Sequence, residues 1–119
     1  MELNEDYIRS KFQSLSDIEL IRFLELDWTE YSSVAVDIAN QEFASRNLLP
    51  ESIQKLSLMM WQEYINKNIR QILYNDKEIH SRFCTQEEMI ELVKESIKFW
   101  KNRQELLNVD STKYWAVLL

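Results

Sequence analysis

Apolar positions recur at helical spacing along almost the whole chain, and with no glycine and only Pro50 a strand-and-hairpin architecture lacks its usual turn chemistry. Behind Asn4, the pattern predicts a helix from about Glu5 to Gln13 with Tyr7, Ile8 and Phe12 turned inward. Ser16 followed by Glu19 is a capping box, and Leu15 and Leu20 stand where a hydrophobic staple needs them, so a second helix starts there. Ser32 caps a third, whose Ala35, Ile38, Ala39 and Phe43 form one stripe and which ends near Asn47. Asparagine tolerates the left-handed backbone that commonly closes a helix.

Pro50 suits the first turn of a fourth helix, where its missing N–H leaves no donor unpaired. That helix is expected to reach about Tyr74. Its apolar residues spread widely and leave a narrow polar stripe of Lys55, Gln62, Asn66 and Arg70. The stretch from Asn75 to Phe83 reads equally as a continuation or as a short separate turn. Thr85 and Glu88 form a second capping box, opening a fifth helix to about Leu107 with Ile90, Val93, Ile97 and Trp100 on one face. Asp110 or Ser111 caps a last short helix that ends in an apolar tail. The expected fold is therefore all-α: residues 1–119 as one domain, a compact bundle of five to six helices with no sheet. Its core should include Trp61, Ile65, Ile69, Ile90, Val93, Ile97 and Trp100.

Composition narrows the chemistry. The 119 residues contain no glycine, which removes the glycine-rich loops that cradle phosphates and dinucleotides. One cysteine, Cys84, permits neither an internal disulfide nor a paired-thiol site, and suits a reducing compartment. The first fourteen residues carry acids and no apolar run, unlike a secretory or transit peptide, and no stretch is long enough to span a bilayer. A cytoplasmic location is expected.

His80 and Cys84 lie four apart and would share a face if the segment were helical, as half a metal site or a thiolate and its base would. The other half is missing, and no Glu-x-x-His pair exists for a carboxylate-bridged metal bundle. Neither enzyme activity nor a metal or other cofactor is expected. Lys67, Arg70, Lys77 and Arg82 could line a basic strip, but the net charge of −6 opposes direct binding of nucleic acid or an anionic membrane.

The excess negative charge is unevenly placed. Residues 1–49 hold ten acids and four bases, whereas residues 50–119 hold ten of each. Between Asp17 and Glu42, seven acids face a single base, Arg22. Inside this stretch, Asp27 to Tyr31 sets Trp28 and Tyr31 among carboxylates at a connection between helices. Large aromatics beside charge are the composition of binding hot spots. The candidate partner-binding residues are Glu25, Asp27, Trp28, Glu30, Tyr31 and Asp37, with the acids expected to be exposed. Trp28 capping the core and Tyr31 stapling onto Val36 is the competing structural reading, and both can hold together.

The run SLSDIEL, then Tyr31, AVDIANQEF and RNL resembles a helical pair common in small bacterial proteins, over about residues 15–49. This chain departs from that pattern at Glu42-Phe43, where the pair usually has Glu-Leu, and at Asn47, where it has glycine. In kind, as an acidic helical chain without catalytic residues, it also resembles the immunity proteins of bacterial toxin systems. That likeness implies a cytosolic inhibitor that covers the active site or substrate groove of a basic toxin, often a nuclease. A structural or regulatory helical module that self-associates through its later helices is the alternative.

Overall fold

The structure, a computed structural model, describes residues 4–75 and 79–99. Every regular element among them is helical and none is a strand. The elements are α1 (Glu5–Gln13), α2 (Asp17–Arg22), a π-helical turn (Phe23–Asp27), a 3₁₀ turn (Trp28–Glu30), α3 (Ser33–Ser45), α4 (Pro50–Tyr74) and α5 (Gln86–Phe99). By contacts the chain divides into two units, Met1–Met60 and Trp61–Leu119.

In the first unit, the helix starts follow their local chemistry. The Tyr7 amide donates to Asn4 Oδ1 at 3.2 Å, and the Ala35 amide to Ser32 Oγ at 3.2 Å. The capping box closes in both directions, Glu19 N–H to Ser16 Oγ at 3.3 Å and Ser16 N–H to Glu19 Oε1 at 2.9 Å. These bonds favour the charged carboxylate, so the Ser16 backbone and then its hydroxyl hold Glu19 below the usual carboxylate range. A depressed carboxylate adds stability at pH values above its unfolded pKa and loses it as pH falls through the folded one. Thermal unfolding of Glu19→Gln should therefore show a shallower acid-side decline than the parent chain; coincident pH profiles would show that the box does not respond to charge.

The core of this unit is built from Phe12, Leu20, Phe23, Leu24, Ala35, Ile38 and Ala39, with Ile8, Leu15, Val36 and Phe43 packed against it. Alanines at positions 35 and 39 present little more than a methyl group on α3, and α1 contacts α3. Phe12 and Phe23 meet edge to face, their ring centroids 4.8 Å apart. Tyr7, expected inside, is 60% exposed. It lies in the first turn of α1, and the Lys11 ammonium one turn on sits 5.3 Å from its ring centroid, so a cation rather than the core covers that ring.

Arg46 ties three helix ends together. Its guanidinium donates to Glu42 at 2.7 Å, to Asp17 at 2.9 Å and to the Phe12 carbonyl at 3.0 Å. The Glu42 bond, opposed by burial and aided by Asp17, raises the Arg46 pKa. One fork thus fixes the C-terminus of α3 to the end of α1 and the start of α2. Immediately beyond, Asn47 has φ 48°, the left-handed position expected at the close of α3.

In the second unit, the α4 residues Trp61, Ile65, Ile69, Ile72 and Leu73 are buried, as are Met89, Val93 and Ile97 of α5. The polar stripe expected along α4 is exposed at Lys55, Gln62, Asn66 and Arg70. At Asn68 the backbone leaves helical geometry (φ −118°, ψ 16°), and the Asn68 amide donates to the Tyr64 carbonyl at 2.8 Å, a side chain competing with the helical ladder. The second capping box is formed, with Thr85 N–H to Glu88 Oε1 at 2.8 Å and Glu88 N–H to Thr85 Oγ1 at 3.1 Å. Ile90, placed in the core from sequence, is 36% exposed. The buried stripe runs through Met89, Val93, Ser96 and Ile97, and Ile90 falls on its margin. Trp100, the end of the fifth helix and the last short helix lie outside the described residues.

Candidate functional site

The connection from α2 to α3 carries the residues singled out by charge and aromaticity. After Arg22 the helix does not stop; it widens into the π turn, tightens into the 3₁₀ turn and ends at Tyr31, whose backbone is extended. A π turn spaces its hydrogen bonds one residue further than an α turn, so the following side chains are offset by one residue from the register of an uninterrupted α-helix. The result sorts the segment sharply. Phe23 and Leu24 are buried, whereas Trp28 and Tyr31 are 48% and 55% exposed.

The candidate acids separate in the same way. Glu30 and Asp37 are exposed and Asp27 is half-buried. Glu25, expected on the outer face, is only 8% exposed and accepts a hydrogen bond from Ser57 Oγ at 3.0 Å. Ser57 is itself fully buried. Glu25 therefore belongs to the interior and not to an accessible acidic face. Glu25 stands four residues beyond buried Ile21, on the same face, and α4 supplies a hydroxyl to satisfy the carboxylate. Neutralising Glu25 is a change to the packing of the unit, unlike neutralising Glu30 or Asp37.

Two hollows meet at Tyr31. A shallow groove of about 280 Å³ is lined by Trp28, Thr29, Tyr31, Ser33, Val36 and Asp37. The larger cleft, about 710 Å³, lies on the other side and includes Ile8, Phe12, Leu15, Phe23, Asp27 and Tyr31 in its wall. The Tyr31 ring is held edge to face against Phe23 at 4.9 Å, so it is anchored inward along one edge and exposed along the other. Trp28 has no such ring contact among the described residues and presents its indole on the groove. The Tyr31 ring contact is with Phe23, a partner other than the expected Val36, and both Trp28 and Tyr31 keep about half of their surface open.

The remaining sequence candidates do not converge. His80 is exposed and Cys84 half-buried in an irregular stretch ahead of α5, so they do not share a helix face. There the Phe83 and Cys84 amides both donate to Ser81 Oγ, at 3.1 and 3.0 Å. Among the described residues, no group of three or more His, Cys, Asp or Glu could hold a metal ion, and no helix is long and apolar enough to cross a membrane. In the basic strip, Lys67 is paired with Glu63 at 2.8 Å and the Arg82 guanidinium stacks on Phe83 at 5.1 Å; Lys77 lies outside the described residues. The acids at the start of α5 are partly committed as well, Glu88 to its capping box and Glu91 to Lys94 at 3.4 Å.

Comparison of the chain with protein-family models, with curated proteins and with solved structures finds no match in any of the three.

Proposed function

We propose that this protein is a cytosolic binding protein of the immunity or antitoxin kind, which blocks a basic toxin, of nuclease type, by occluding its cleft. The observation that carries the reading is the exposed pair Trp28 and Tyr31 with Glu30 and Asp37 beside them, on a connection braced from below by Phe23 and the Ser32 cap. Exposed aromatics on rigid backbone supply affinity at low entropic cost, and neighbouring carboxylates speed encounter with a cationic surface. The acidic surplus of the first half of the chain strengthens that steering.

An immunity protein is encoded beside its toxin, which gives a direct test. The products of the flanking reading frames are expressed alone and together with this protein. One of them should be toxic alone and harmless in its presence. Trp28→Ala should weaken the complex by about 2 kcal/mol, chiefly through faster dissociation, whereas Glu30→Gln with Asp37→Asn should slow association and flatten its salt dependence. Absence of a toxic neighbour, or full protection by Trp28→Ala with unaltered kinetics, would overturn the proposal.

Self-association through the later helices is the competing reading, and Ile90, open on α5, is the residue it would use. It predicts a dimer in sedimentation that persists at high salt and dissociates in Ile90→Glu.

A further inference from the structure

The larger cleft shares Tyr31 with the Trp28 groove, and Asp27 stands in its wall. Asp27 is half-buried and makes no ion pair or side-chain hydrogen bond among the described residues. A half-buried carboxylate without a cation, next to an exposed tyrosine ring edge and an apolar wall, has the three features that a long basic side chain satisfies at once. Such a side chain lays an aliphatic stem on apolar surface, stacks its charged head on an aromatic ring and pairs with a carboxylate. Resting on the binding function proposed above, we propose that the cleft receives one arginine or lysine side chain of the basic partner, its charged head at Asp27 and Tyr31 and its stem against Phe23.

The other charges in the wall limit what can enter. Glu19 is engaged in the capping box, and Lys11 lies over the Tyr7 ring. Arg22, exposed and also in the wall, repels a second positive charge. A single cationic head on an apolar stem fits this arrangement; a run of consecutive lysines does not. The cleft is thus an arginine or lysine socket beside the aromatic groove, and the partner's contact residues include one basic side chain that projects from its surface.

The test needs no identified partner. The full chain, isotopically labelled, is titrated with N-acetyl-arginine-N-methylamide and followed by amide chemical shifts, with the citrulline analogue as an uncharged control of the same shape. Saturable shifts confined to Phe23, Asp27, Tyr31 and their neighbours are expected, about tenfold weaker for citrulline and for Asp27→Asn. Arg22→Gln should tighten binding of the arginine probe. Shifts that never saturate, that fall elsewhere, or that are the same for citrulline would overturn the socket. Because the probe is not the partner, saturable binding here with no toxic neighbour removes the immunity reading and leaves the socket standing. Full protection by Asp27→Asn together with loss in Trp28→Ala removes the socket and leaves the immunity reading.

Discussion

Trp61→Ala should destabilise the protein by about 3–5 kcal/mol, since truncating a buried tryptophan forfeits its transfer free energy and leaves a cavity. Trp61 is 3% exposed, it meets the Tyr64 ring edge to face at 5.6 Å, and Ile65 one turn on is fully buried. Little of the cavity can close, because Ile65 lies on the same helix ahead of the Asn68 irregularity and its spacing from Trp61 is fixed. Denaturant unfolding followed by circular dichroism measures the loss. A cost under about 1 kcal/mol would place the ring at the surface.

The second large effect belongs to Arg46. Its alanine variant leaves the Glu42 carboxylate, whose side chain is 13% exposed, without the cation 2.7 Å away, and it removes one of the donors to the Phe12 carbonyl, which keeps the Leu15 N–H at 3.2 Å. Removing one partner of a buried pair costs about 3–5 kcal/mol; with Asp17 half in water the expected loss is about 3 kcal/mol. Arg46→Lys should recover little of it, because an ammonium cannot make the fork that serves two carboxylates and a carbonyl together. A loss equal to that of an exposed ion pair such as Lys67 with Glu63 would show that the network does not hold the three helix ends.

The parts of the fold that could be read from sequence are those set by chemistry over three or four residues. Both capping boxes, the caps at Asn4 and Ser32, the proline start of α4 and the left-handed Asn47 are satisfied within their own turn, so distant packing did not alter them. The failures have the opposite character. Counting along an ideal helix points Ile90 and Tyr7 inward, yet both lie outside the stripes that tertiary contacts select. Glu25 reads as surface because carboxylates usually are, and its Ser57 partner stands 32 residues away. No local pattern announces a buried hydroxyl on α4 that would pair with Glu25. The aromatic pair at Trp28 and Tyr31 was legible because two large rings among carboxylates stand out in composition alone. The cleft beside them was not, since it is assembled from α1, α2 and the start of α3.

The π turn at Phe23–Asp27 also has a consequence for how this surface can change over time. It holds one residue more than the α-helical turn it replaces and absorbs that residue locally, so deletion of a single codon there restores regular helix with the downstream register kept. Trp28 would keep its present direction relative to Leu20, Ile21 and the rest of α2. A lineage can therefore gain or lose one residue in this turn while its aromatic face and the upstream core both stay in place.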